Sequence, residues 1–290
     1  MIQSKELQGA AVGVFDSGVG GLTVAREIMR QIPNEKIVYF GDTARVPYGS
    51  KSQDTVTRYS RQIVRFLRTQ DVKAIVVACN TASAYALDSL EKEIDIPIIG
   101  VVKPGARVAA EVTRNGKIGV IGTEGTIGSQ IYTDFIHNIN PDAKVTGKAC
   151  PLFVPLVEEG LLQDPVTDEI ASRYLTELID IGIDTLILGC THYPLLRSRI
   201  MKYLGDGIEL VNPAYETAME LRKLLKGMDL LNEGGSRGKE TKGEEQKGPA
   251  CANGSYEFYV SDTADKFKQF ANSILPYDIR TTQRINIEEY

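Results

Sequence analysis

Short aliphatic runs alternate with longer amphipathic segments along most of this 290-residue chain, and that alternation constrains the fold more than any other feature. Strands are expected at AVGVF (11–15), KIVYF (36–40), AIVVA (74–78) and IPIIGV (96–101). A second set follows at KIGVIG (117–122), AKVTGK (143–148), TLILG (185–189) and IELV (208–211). Val/Ile runs without polar alternation suit strands covered on both faces by helices, the pattern of parallel sheets. Between them, segments 22–32, 55–70, 82–94 and 168–182 carry apolar residues at helical spacing. In the last, Ile170, Tyr174, Leu175, Leu178 and Ile179 fall on one stripe. The expected class is α/β, assembled from parallel βα units.

Two of these strands end alike. AIVVACNTAS carries Cys79 and TLILGCTHYP carries Cys190, each after an aliphatic run and before a polar pair, Asn80-Thr81 or Thr191-His192. The resemblance extends upstream: KIGVIGTEGTI (117–127) is similar to AVGVFDSGVGG (11–21), and FVPLVEEG (153–160) to RVPYG (45–49). Three features in the same order predict a duplication. The consequence is two pseudo-twofold related lobes, each a mainly parallel sheet flanked by helices. The active site would lie in the cleft between them, at the carboxyl ends of the strands where open parallel sheets bind ligands. The expected division is 1–103 plus 214–290 for the first lobe and 104–213 for the second. Residues 232–254 are rich in Gly, Lys and Glu and poor in large apolar side chains, so they read as a flexible insertion in the first lobe.

Charge and composition narrow the function. A net charge of −5 without a Lys/Arg-rich block argues against a nucleic-acid surface. No apolar stretch approaches a membrane span and the N-terminus lacks a signal-peptide apolar region, so a cytoplasmic location is expected. In that reducing compartment a thiol next to a polar motif is a candidate for reactivity or metal binding, not for a disulfide. Cys150 reads as packing and Cys251 as an idle thiol in the insertion.

Several residues can carry chemistry at the strand edge. The loop Asp16–Gly21 matches neither the dinucleotide nor the phosphate-loop pattern, because Thr23 and Val19 stand where Gly and Lys are needed. Asp16 is expected to meet a ligand ammonium or position a proton-transfer group, with Ser17 donating a hydrogen bond; a plain helix cap is the alternative. Pro47, Tyr48 and Gly49 can line a pocket with amides free for a carboxylate, or Tyr48 can simply pack. Cys79 and Cys190 each stand where a helix should begin, and a helix N-terminus favours a thiolate. His192 is a candidate proton shuttle or substrate ligand, or a loop histidine bonded to a carbonyl. Glu158 is a second candidate acid, with Glu159 facing solvent. Thr123 and Thr126 can bind a carboxylate or cap a helix. A metal held by Cys79, Cys190 and His192 is the main rival, but the chain has no CxxC and a single other histidine, His137. No metal is expected.

The segments VFDSGVGGLTV, YFGDTARVPYG, VVACNTAS, GTEGTI and LGCTHYPLL together resemble the glutamate racemases of the cofactor-independent aspartate/glutamate racemase superfamily. That resemblance implies a two-lobed enzyme that interconverts L- and D-glutamate without cofactor, supplies D-glutamate for peptidoglycan and forms a homodimer. Cys79 and Cys190 fall on the family's two acid/base cysteines, the first acting on the D- and the second on the L-enantiomer. Asp16, Ser17, Pro47, Tyr48, Gly49, Asn80, Thr81, Thr191 and His192 fall on its substrate-binding positions. An aspartate racemase and a non-catalytic amino-acid-binding protein stand as alternatives.

Overall fold

The computed structural model describes residues 7–234, 256–279 and 281–290. It contains two parallel sheets. The first joins β1 (Ala11–Asp16), β2 (Ile37–Gly41), β3 (Val72–Val77), β4 (Ile98–Gly100), β9 (Tyr256–Val260) and β10 (Gln283–Arg284) in the order β10-β9-β2-β1-β3-β4. The second joins β5 (Lys117–Gly122), β6 (Lys144–Ala149), β7 (Thr185–Gly189) and β8 (Glu209–Val211) in the order β6-β5-β7-β8. Renumbered within its own lobe, the second sheet repeats the 2-1-3-4 order of the first. The expected duplication is therefore written in the topology, and Cys79 and Cys190 follow the equivalent strands β3 and β7.

The helices cover these sheets for local reasons. Ser52 caps Gln53–Arg68 by accepting from the Thr55 amide. Asp164 and Asn212 cap Pro165–Asp180 and Pro213–Gly227, each with proline at the first helical position, where a missing N–H costs nothing. Val12, Val14 and Tyr39 pack under Leu22, Ile28 and Leu221 on one face of the first sheet, while Phe15, Phe40 and Ile75 meet Ile63 and Leu67 on the other. The second sheet divides its faces between a cluster with Leu175, Leu178 and Leu186 and another with Val102, Ile118 and Tyr132.

Two helices differ from the sequence reading. The helix expected over 82–94 is two, Asn80–Tyr85 and Leu87–Glu93, separated at Ala86. The helix Val102–Val112 was not expected, because its Lys103-Pro104-Gly105 start reads as a loop; it crosses the anticipated cut after 103 and packs on the second sheet through Val102, Ala106 and Ala109. Of the insertion, only 232–234 fall among the described residues; the rest of 232–254, with Cys251, lies outside them. Among the described residues no helix is long and apolar enough to cross a membrane.

Around the strand ends, polar contacts join the two lobes. Thr23 Oγ1 donates to the Thr191 carbonyl at 2.9 Å, and the Gly125 amide to the Gly49 carbonyl at 2.8 Å. The Thr81 and Thr123 hydroxyls pair at 2.9 Å, and the Tyr132 phenol donates to Asn80 Oδ1 at 2.7 Å. Glycine makes this closeness feasible. A β-carbon at Gly20 would stand 2.4 Å from Thr191 Oγ1, and one at Gly49 would stand 2.7 Å from Thr123 Cβ.

Candidate active site

A cavity of about 400 Å³ opens between the carboxyl ends of the two sheets. The loops after β1, β2 and β3 line it with Ser17 and Gly18, with Val46 to Ser50, and with Cys79, Asn80 and Thr81. The equivalent loops after β5, β6 and β7 supply Thr123 and Glu124, then Pro151, Val154, Pro155 and Glu158, then Cys190, Thr191 and His192. Each lobe thus contributes one sulfur to the same wall-to-wall space, and each of the two cysteines is 6% exposed.

The two thiols differ in their surroundings. Cys79 caps the helix Asn80–Tyr85, its sulfur accepting from the Ala82 amide at 3.5 Å and its thiol donating to Ser17 Oγ at 3.7 Å. Burial nonetheless pushes the thiol up to about 12, with the Asp16 charge adding to it, against the pull of Ala82 and Ser17. The expected thiolate-favouring helix start is therefore outweighed at Cys79 by desolvation. Cys190 has no α-helix directly after it: a turn leads into the 3₁₀ segment Tyr193–Leu196. Its partner is instead His192, whose Nδ1 lies 3.8 Å from the sulfur while Nε2 lies 2.9 Å from Glu158 Oε1.

Burial alone would strip His192 of its proton, but the hydrogen bonds to Cys190 and Glu158 outweigh it and push the imidazole up to about 10. The raise favours the charged ring, in which both nitrogens donate. That ring offers a positive partner for the negative charge on Cys190 when that thiol has given up its proton. Cys79 has no such partner, and holds its proton. Near neutral pH iodoacetamide is expected to leave Cys79 largely unlabelled in the native protein and to label it once the chain is unfolded, because the thiolate is the nucleophile and burial pushes this thiol up to about 12. Peptide mass spectrometry reads the labelling; rapid labelling of Cys79 in the native protein would contradict the raised thiol.

The other sequence candidates sort into wall and support. Ser17, Pro47, Gly49, Asn80, Thr81, Thr123, Thr191, His192 and Glu158 reach the cavity. Asp16 is fully buried behind it: Oδ2 accepts from the Gly18 amide at 3.0 Å and Oδ1 from the Thr191 hydroxyl at 3.5 Å. Burial raises its carboxyl above the usual range, opposed by His192 and by the Gly18 and Gly21 amides. It caps no helix, and it ties the first loop to the second lobe. Thr126 is likewise buried, its amide and hydroxyl both turned to Thr123, whose side chain caps Glu124–Gly128. Tyr48 touches the cavity, but its phenol donates to the buried Asp42, which also accepts from Arg45 and Ser261. Its side chain thus braces the loop that carries Pro47 and Gly49. Glu159 is exposed.

Sequence reasoning passed over Val46, Ser50, Glu124, Pro151, Val154 and Pro155 as wall residues. The signal was present for most of them: Pro151, Val154 and Pro155 lie in or beside the segment that mirrors RVPYG, and Glu124 lies inside GTEGTI. Among the described residues no group of three or more His, Cys, Asp or Glu side chains converges as a metal site.

Comparison with known proteins meets this geometry. Residues 13–221 match the sequence pattern of the Asp/Glu/hydantoin racemases. A glutamate racemase of Geobacter metallireducens is 48% identical over 278 residues, spanning 96% of this chain and 97% of that protein. The crystal structure of a Bacillus anthracis glutamate racemase superposes with a TM-score of 0.87 at 41% identity, covering 96% of this chain and 98% of the other. A Francisella tularensis glutamate racemase, solved in complex with D-glutamate, gives a TM-score of 0.86 at 37% identity over 98% and 100% of the two chains.

Proposed function

This chain belongs to the Asp/Glu/hydantoin racemase family, and from that footing we propose that it interconverts L- and D-glutamate by a two-base proton transfer at the α-carbon. The observation that carries the proposal is the pair of sulfurs, one from each lobe, on the wall of a single cavity. Inversion removes a proton from one face of the α-carbon and returns one to the other, so two opposed groups suit it better than one. Starting from L-glutamate, the Cys190 thiolate takes the α-proton, and the C–H electron pair passes into the carboxylate as an enediolate. Cys79, held as a thiol, then delivers its proton to the opposite face. The reverse reaction starts from the opposite pair of protonation states.

The remaining wall residues have roles in this reading. Ser17, Asn80, Thr81 and Thr191 donate hydrogen bonds to the substrate carboxylate, where negative charge grows in the transition state. Pro47 and Gly49 shape the loop that receives it, and Thr123 adds a hydroxyl at the rim. His192, backed by Glu158, serves Cys190; Asp16 holds Thr191 in place. The lobes are taken as 1–103 plus 214–290 and 104–213, and the protein as a cytoplasmic homodimer supplying D-glutamate for peptidoglycan. Light scattering of the purified protein tests the dimer.

The experiment for the activity is direct. Purified protein is incubated with L-glutamate in deuterated water without added cofactor, and the product is read by chiral chromatography and mass spectrometry. The expected result is a mixture of enantiomers with deuterium at the α-carbon of the D-product. Faster turnover of aspartate would reassign the substrate. Glutamate binding without α-proton exchange would make the chain a binding protein.

A further inference from the structure

We infer that Tyr132, from the second lobe, orients the Asn80 carboxamide of the first lobe so that its NH2 group, and not its carbonyl, faces the cavity as a donor for the substrate carboxylate. Asn80 lines the cavity directly after Cys79, and a carboxamide can present either an acceptor or a donor there. The structure leaves little choice. Asn80 Oδ1 is occupied by the Tyr132 phenol at 2.7 Å, with Asn80 4% and Tyr132 3% exposed. Among the described residues no protein acceptor takes the Asn80 Nδ2 hydrogens.

The phenol is held as firmly as the amide. Tyr132 sits on the helix Ile131–Ile139, and its ring is flanked by two glycine backbones. A β-carbon at Gly189 would stand 3.3 Å from Tyr132 Cε2, and one at Gly105 would stand 3.6 Å from Cε1. Burial pushes the phenol above its ordinary range, so it stays protonated and donates throughout the working pH range. A flipped amide would turn a carbonyl oxygen toward an anionic substrate; the phenol oxygen could accept from the NH2 group, but the buried phenol proton would then lose its Asn80 acceptor. Because the bond spans the lobes, Asn80 is oriented only while they are closed to this separation. Tyr132 is thus a positioning residue: it acts on the substrate through Asn80.

The inference rests on the glutamate racemase reading, and turnover by the wild-type protein controls for that premise before any variant is made. In an active enzyme, Tyr132→Phe removes only the hydroxyl and is expected to lower kcat/KM for both enantiomers about tenfold, the size of one lost hydrogen bond to a working group. In an Asn80→Ala background the same change is expected to have no further effect, since the group it orients is gone. An equal loss in both backgrounds would make Tyr132 merely structural, and an unaltered Tyr132→Phe enzyme would overturn the inference outright. Asn80→Asp is a separate arm that leaves the tyrosine intact. It is expected to be at least as damaging as Asn80→Ala, because a carboxylate then confronts a carboxylate; a fully active Asn80→Asp enzyme would refute the donor assignment.

Discussion

Serine at either Cys79 or Cys190 is expected to lower racemisation about a thousandfold or more, the scale of losing a positioned acid or base. The substitution is nearly isosteric at two sites that are each 6% exposed, so packing survives and the chemistry alone is changed. A hydroxyl at Cys79 keeps the contacts with Ser17 and Ala82, and one at Cys190 keeps His192 in reach. What neither serine supplies is an anion at working pH. The two variants should fail differently. Cys79→Ser retains the Cys190–His192–Glu158 arrangement, so L-glutamate should still exchange its α-proton with deuterated water while D-glutamate stays inert. Cys190→Ser leaves only Cys79, whose thiol is pushed up to about 12, so exchange from either enantiomer should be slow. Proton NMR of the α-position reads both. Near-wild-type racemisation by either variant would defeat the two-base account.

The features that made this site legible are those tied to strand ends. A βα unit has a fixed direction, so a residue that follows an aliphatic run is delivered to the carboxyl edge of its sheet whatever the helices do. That is why the loops after β1, β2 and β3, and their counterparts after β5, β6 and β7, could be assembled from text alone. Residues that act at second hand were less visible. Tyr132 is the second residue of the helix Ile131–Ile139 and belongs to no motif, and its bond to Asn80 exists only once two lobes have docked. Asp42 and Arg45 stand inside the quoted GDTARVPYG motif, yet nothing in the spacing says that a carboxylate will be buried to hold Tyr48. Electrostatics was the weakest inference. A helix does begin at Cys79, as its place after a strand predicts, but burial, which one sequence does not display, outweighs its effect on the thiol. At Cys190 the local signal was the neighbouring His192, with Glu158 brought in from 34 residues away.

Gly20→Ala is expected to lower kcat/KM about a hundredfold while the protein stays folded, because misplacement by about 1 Å suffices for a loss of that size. The added β-carbon would stand 2.4 Å from Thr191 Oγ1 and 2.5 Å from His192 Cε1 and Nδ1, separations that no side-chain contact sustains. His192 has little room to yield, being buried and bonded to Glu158 on its far side. Thr191 is tied to Asp16 by its hydroxyl and to Thr23 by its carbonyl. Strain therefore falls on the seam between lobes. The buried clusters lie within one lobe or the other except for Val102, Leu195 and Phe270, which pack across the division, so the seam can widen with little loss of core. A widened seam draws the two sulfurs apart, which harms both directions of the reaction together. Gly128→Ala is the control, since a β-carbon there meets nothing within 4 Å. Steady-state kinetics with each enantiomer, alongside thermal unfolding, distinguishes the cases: a little-changed melting temperature with the large kinetic loss supports the seam as part of the catalytic geometry. Wild-type kinetics from Gly20→Ala would mean that the working enzyme does not require the two loops to approach this closely.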